Sequence, residues 1–364
     1  MRLLDFLKNS KNRRRQKSER YILCIDGGGM RGVIAATLLK NIEKLMKAMG
    51  ANEPLYSYFD LISGTSTGGI IALGLTTPLR ENSLLANKKD LTNTAEIKNI
   101  VDIYLKYGSI IFPRNQLRFS LNTIGQLFTD KYDDLSFNKL LENIFKDAKL
   151  GEALRPTMVV TYDINNDRPY IISSYQNPSV AVKTAARATS AAPTFFSPTS
   201  IIDVATGKPI ALIDGGVVAN NPVLFAYKEA KKLYPDAQKF HVLSIGTAST
   251  SYKIDSFWAG SGVIGWLDPA KGTPIYRLYA SSQMKTASEI AASIGDMSYL
   301  RIHKEFDKRV RLDETDPLIL AQMIENANST YLEFENELKN YCSLLLNRPH
   351  NNFHPLLPVA LENS

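Results

Sequence analysis

The sequence is short of the residues that most often announce a chemistry by themselves. It has two cysteines, Cys24 and Cys342, in 364 residues. Two thiols cannot build a disulfide framework or a thiolate metal centre. One lies in an apolar run and the other in a C-terminal helical stretch, so both read as free, buried thiols of a reducing compartment. Histidine is also scarce: His241, His303, His350 and His354 are all there are. None stands in a His/Cys cluster with ligand spacing, so no metal and no cofactor is expected. No run approaches the roughly 18 apolar residues that cross a bilayer. The start, Met1-Arg2-Leu3-Leu4-Asp5-Phe6-Leu7-Lys8, lacks the roughly 7 consecutive apolar residues of a secretory leader. These absences point to a cytoplasmic location.

What is present is ordinary for a large globular α/β chain: 44% hydrophobic and 22% charged residues, enough for a sizeable core. The net charge of +7 is unevenly placed. Residues 1–20 hold eight bases against Asp5 and Glu19, so +6 sits there and +1 on the other 344 residues. A nearly neutral body excludes a body-wide nucleic-acid footprint. The arm has two readings. It is a solvated basic tail, or Leu3, Leu4 and Leu7 share a helical face beside Arg13-Arg14-Arg15 and rest on an anionic membrane surface. Three segments follow: the arm at 1–20, a body at 21–346 and a tail at 347–364.

Along the body, Tyr21–Ile25 reads as a buried strand and 33–49 as a helix, with Leu38, Leu39, Ile42, Leu45 and Met46 at helical spacing. Phe59–Ile62 and Ile70–Leu73 flank a glycine-rich turn. Residues 76–99 look like an exposed polar insertion. Helices are expected at 100–112, 135–150 and 180–190. Strands are expected at 157–162, 170–172, 210–213 and 241–245. The stretch 249–275, with Trp258 and Trp266, looks loop-like, and 276–346 mainly helical. Strands alternating with helices argue for a mostly parallel sheet covered on both faces.

The turn Gly64-Thr65-Ser66-Thr67-Gly68-Gly69 joins a strand to a helix and spells the G-x-S-x-G nucleophile elbow. Gly64 and Gly68 relieve the crowding of the turn. Ser66 at its apex meets the free amides of a helix start. Two more glycine loops follow expected strands, so all three should gather at the carboxyl edge of one parallel sheet. The first, Asp26-Gly27-Gly28-Gly29-Met30-Arg31-Gly32, also spells G-x-G-x-x-G. No acidic residue stands where a dinucleotide ribose needs one. Its better use is an oxyanion hole, with the amides of Gly27, Gly28 and Gly29 as donors and Arg31 as added positive charge. The third, Asp214-Gly215-Gly216, offers a carboxylate. Ser66 needs a base. His241 fits the order of a histidine triad but opens its strand, at the wrong edge of the sheet. Asp214 ends a strand and is the better candidate, with burial raising its pKa. Asp163 competes with it, and Asp26 reads as a brace for its own loop. Tyr104, Tyr107, Phe112, Phe195 and Phe196 are candidates for an acyl channel or for plain core.

These three blocks resemble the signature of patatin-like phospholipases. Ala188-Thr189-Ser190-Ala191-Ala192-Pro193-Thr194-Phe195-Phe196, Asn220-Asn221-Pro222 and Tyr299-Leu300-Arg301-Ile302 are similar to further family stretches. The resemblance covers about residues 20–340. It implies a three-layer α/β/α fold and a dyad without histidine: Ser66 as nucleophile and Asp214 as base, with Gly28, Gly29 and Arg31 at the oxyanion hole. Gly64, Gly68, Gly215 and Gly216 support these motifs. It also implies hydrolysis of fatty-acyl esters of membrane phospholipids by a peripherally membrane-associated enzyme. A related expectation is a switched effector, silent until a small nucleotide or protein partner binds. Neither that activator nor the oligomeric state is written in any motif.

Overall fold

Glu19–Ile25 (β1) is the centre of the sheet, and its residues from Tyr21 onward are buried. A computed structural model describes residues 19–86, 96–113, 134–250, 274–306 and 310–348. The remainder of the basic arm, residues 87–95, both tryptophans, His350 and His354 lie outside the described residues. Glu19 and Arg20, assigned above to the arm, instead open β1 and pair with Lys239 and Phe240.

The chain order after β1 is α1 (Gly32–Ala48), β2 (Leu61–Thr65), α2 (Thr67–Thr76), α3 (Ile97–Ile111) and α4 (Asp134–Phe145). Then come β3 (Thr157–Asp163), β4 (Arg168–Ser173), α5 (Val182–Thr189), β5 (Thr199–Ile202), β6 (Pro209–Asp214), α6 (Val223–Leu233) and β7 (Lys239–Ile245). The last are β8 (Ser249–Thr250), α7 (Pro274–Ser293), β9 (Met297–Ile302), β10 (Glu305–Phe306), α8 (Pro317–Glu333) and α9 (Glu335–Leu346). The eight-stranded sheet runs β5-β6-β3-β2-β1-β7-β9, with β4 also on β3. The pairs from β3 through β2, β1 and β7 to β9 are all parallel.

Alternation along the strands sends side chains to two separate cores. Leu23 and Ile25 of β1 pack with α1, α2, α8 and α9 on one face. Ile22 and Cys24 pack with Val223 and Ala226 of α6 and Ala291 of α7 on the other. The result is a three-layer α/β/α fold. Both cysteines are free and buried, and burial pushes each thiol up to about 12.

Three expectations are corrected. The β4 and β6 strands run antiparallel to β3: β4 comes straight back through the short 164–167 turn, and β6 comes back from β5 through the 203–208 turn. The stretch Tyr299–Ile302 lies in β9, a parallel strand, within a region expected to be helical. The described flanks of the supposed exposed insertion are partly core. Leu85 and Ile97 are buried, and Ser83 Oγ donates to the Ile144 carbonyl at 2.6 Å.

Candidate active site

Ser66 sits between β2 and α2 with φ +54° and ψ −126°, a region that side chains other than glycine rarely occupy. Such a turn holds only if its surroundings fix it, and they do. The Ser66 N–H donates to Thr189 Oγ1 at 3.0 Å, and that hydroxyl donates on to the Val160 carbonyl at 2.6 Å. Ser66 O takes the Ile70 amide at 3.1 Å and starts the helix. Thr65 Oγ1 donates to Ala219 O at 2.7 Å, tying the elbow to the loop beyond Asp214. A side chain on Gly64 or Gly68 would run into backbone, that of Gly68 and of Ile25 respectively. Both glycines are therefore needed for close approach.

Asp214 reaches this elbow from the opposite direction. The β4 strand pairs with β3 from Met158 to Asp163 and occupies one edge of it. On the other edge, Thr65 of β2 pairs with Val160 and Asp214 of β6 pairs with Thr161. The two strands thus meet carboxyl end to carboxyl end. The Asp214 carboxyl is buried, and Oδ1 accepts the Gly216 amide at 2.7 Å. Burial raises its pKa to about 6, against the lowering effect of hydrogen bonds from Gly216 and from the Ser66 hydroxyl. The Ser66 hydroxyl therefore faces a buried carboxyl that is more basic than an ordinary aspartate.

The first glycine loop closes on the same place. A side chain on Gly27 would lie 2.5 Å from Asn220 Oδ1 and 3.3 Å from Ser66 Cβ. The Gly27 amide donates to Asn220 O at 3.0 Å, so Gly27 is not an available oxyanion donor and the expected trio narrows. The amides of Gly28 and Gly29 meet no acceptor among the described residues. Gly29, at φ +56°, abuts the Leu312 carbonyl, and Gly28 abuts Thr247. Arg31 folds back so that Nε lies 3.5 Å from Gly28 O. Gly216 lies against the Asp214 carboxyl, and Gly215 against the Val160 carbonyl.

The rival bases are elsewhere. His241 pairs with Tyr21 at the amino edge of the sheet, stacked on that ring at 4.8 Å and 3.2 Å from Glu19 Oε2. His303 bonds Ser249 and Arg301. Neither histidine bonds Ser66 or Asp214. Asp163 accepts from the Asn165 and Asn166 amides and from Asn166 Nδ2 in the β3–β4 turn. Desolvation pushes its carboxyl up, but these bonds and Arg168 outweigh it and hold it low. Asp26 is paired with Arg301. Among the candidate channel aromatics, Phe196 is buried and stacks on Phe137 at 4.9 Å, while Phe112 lies 6.0 Å from Phe196. Tyr104 hydrogen-bonds Thr67, next to the elbow. Thr189, Thr247 and Asn220 carry geometry that no motif role had marked, although Thr189 and Asn220 stood inside the quoted blocks.

A family model described as patatin-like phospholipase matches residues 23–227. The chain belongs to the patatin-like phospholipase family. Patatin-like protein 2 of Arabidopsis thaliana is 35% identical over 78% of this chain and 75% of its own length. Patatin-like protein 2 of Oryza sativa subsp. indica is 33% identical over 72% and 69%. Patatin-2-Kuras 3 of Solanum tuberosum is 29% identical over 73% and 68%. Membership places this patatin-like chain among the lipid acyl hydrolases. Among the described residues no helix is long and apolar enough to cross a membrane, and no group of three His, Cys, Asp or Glu side chains could hold a metal ion.

Proposed function

We propose that the chain is a phospholipase A-type hydrolase of membrane glycerophospholipids, working through a Ser66–Asp214 dyad. The observation that carries this is the head-on meeting of β2 and β6 on one edge of β3, which sets Ser66 against the buried Asp214 carboxyl, with burial raising that carboxyl to about 6. A carboxylate of that strength is ionised at neutral pH yet basic enough to take a proton in the transition state.

Ser66 Oγ attacks the fatty-acyl carbonyl while its proton passes to Asp214. The negative charge that develops on the carbonyl oxygen is met by the Gly28 and Gly29 amides, with Arg31 adding positive charge nearby. Each such donor is worth roughly 100-fold or more in rate. The protonated Asp214 delivers its proton to the departing lysophospholipid oxygen. A water molecule then gives a proton to Asp214 and attacks the acyl-serine, and Asp214 returns that proton to Ser66 Oγ as the acyl–oxygen bond breaks and the fatty acid leaves. The substrate lies in a bilayer, so the enzyme acts at a peripheral membrane surface.

Ser66→Ala and Asp214→Asn should each abolish fatty-acid release from phosphatidylglycerol vesicles while the circular dichroism spectrum is kept. Mass spectrometry of the products from total membrane lipid reads head group and acyl position together. Full hydrolysis by Ser66→Ala would end this reading.

A further inference from the structure

A buried ion pair stands at the root of the first glycine loop. Asp26 is fully buried just beyond β1, two residues before Gly28. Arg301 of β9 grips it with both arms of its guanidinium. Nη1 donates to Oδ1 at 2.7 Å, and Nη2 pairs with Oδ2. The same Nη1 donates to Ser244 Oγ at 2.7 Å, and Nη2 lies 3.4 Å from His303 Nδ1. A guanidinium only donates, so His303 Nδ1 accepts, and its proton sits on Nε2, 3.0 Å from Ser249 Oγ. Burial first, then the Arg301 charge, push the His303 pKa down to about 3, so this ring stays neutral beside the pair.

We propose that Arg301 is a positioning residue for the hydrolytic reaction: by holding Asp26 at the floor of the loop it keeps the Gly28 and Gly29 amides beside Ser66. The proposal rests on the dyad mechanism above. The rest of the loop is stitched from other sides, Gly27 to Asn220 O and Thr247, and Met30 to Leu312 O. Its amino-terminal end is held at Asp26, by the amide bonded to Ile245 O at 3.0 Å and by the carboxylate gripped by Arg301. Without Arg301 a buried carboxylate loses its counter-charge and must take a proton or move toward water. Either response shifts the two amides relative to the serine.

The molecule carries its own control. Arg348 and Asp60 form a second buried pair at the amino edge of the sheet, away from the glycine loops. Arg348 Nη1 also donates to Tyr58 O at 3.1 Å, and Asp60 Oδ2 takes the Tyr21 amide at 2.8 Å. Its loss should destabilise the fold in the same way without touching the oxyanion loop.

The test compares full-length Arg301→Met, Arg301→Lys, Arg348→Met and Ser66→Ala at a temperature where circular dichroism shows each folded. Hydrolysis of a soluble p-nitrophenyl ester gives kcat and KM, and a fluorophosphonate probe gives the labelling rate of Ser66. Arg301→Met should lower kcat about 100-fold, the scale of one oxyanion donor, with KM within about twofold. Arg301→Lys should recover part of that loss, since an ammonium keeps the charge but not the two-armed grip. Arg348→Met should lower the melting temperature comparably yet keep kcat within about threefold. Equal kcat losses in Arg301→Met and Arg348→Met, or none in either, would overturn the proposal. Should Arg301→Met not fold, Arg301→Lys and Asp26→Asn carry the test: lowered kcat at unchanged KM supports the positioning role, and unchanged kcat refutes it. Undiminished hydrolysis by Ser66→Ala would instead remove the dyad mechanism, and this role with it.

Discussion

Ser66 and Asp214 are delivered by strands that run into one another head-on along the same edge of β3, at Val160 and Thr161. This arrangement does more than bring the groups close. Each strand stops where the other stops, so neither side chain continues into a ladder that would hide it. Asp214 is buried at this meeting point and loses its water there. The strained elbow then sets the serine hydroxyl against the carboxyl, held by Thr189 rather than by a histidine.

The Asp214 pKa leads to two linked pH effects. The proposed dyad needs the ionised carboxylate, so kcat/KM on a soluble ester should fall below about pH 6 as one proton is bound. Stability moves the other way. A carboxyl raised from roughly 3.9 in the unfolded chain to about 6 in the fold costs nothing below pH 4 and up to about 3 kcal/mol above pH 6. Asp214→Asn should therefore melt higher than the parent at pH 7–8, with the gap closing by about pH 4. Melting curves across that range check the sign. A gap that widens in acid, or an activity limb near pH 4, would show that Asp214 is not the raised carboxyl described here.

Thr189 is the next test, because its hydroxyl is both acceptor for the Ser66 amide and donor to Val160 O. Thr189→Val keeps shape and leaves both backbone groups without their partner. The expected cost is about 1–3 kcal/mol of stability. Freed of this bond, the elbow can relax from its positive φ, and kcat should fall about 10-fold at unchanged KM, equivalent to about 1.4 kcal/mol of transition-state stabilisation. Denaturant melts and steady-state kinetics measure the two separately. Stability lost with kcat intact would mean that the elbow is held by its glycines alone.

Much of the site was readable in advance because its motifs encode their own geometry. A serine between glycines at a strand-to-helix junction leaves few alternatives, and an aspartate followed by two glycines marks a bend. What could not be read is direction and distance. Ile210-Ala211-Leu212-Ile213 has the same apolar pattern whether its strand runs up or down the sheet, so the head-on meeting was invisible. The Asp26–Arg301 pair spans 275 residues, and nothing local to either residue names the other. Gly27 reads as a donor in the sequence because only the fold brings Asn220 O onto its amide.

The rival bases separate on two substitutions. His241→Gln should keep kcat within about twofold while costing about 1 kcal/mol, since the ring is lost from its stack on Tyr21 and its bond to Glu19. Asp163→Asn should also keep kcat, because the carboxylate closes the β3–β4 turn through Asn165 and Asn166. Its carboxyl is held below the usual range in the fold, so its support is present above about pH 4 and lost as pH falls through the folded pKa. The stability deficit of Asp163→Asn should thus be visible at pH 7 and fade in acid. A kcat loss of about 100-fold in either variant, with the fold retained, would hand the general-base role to that residue, since losses of this size mark a group acting on the reacting atoms. Two inert variants beside an inactive Asp214→Asn would leave Asp214 as the base.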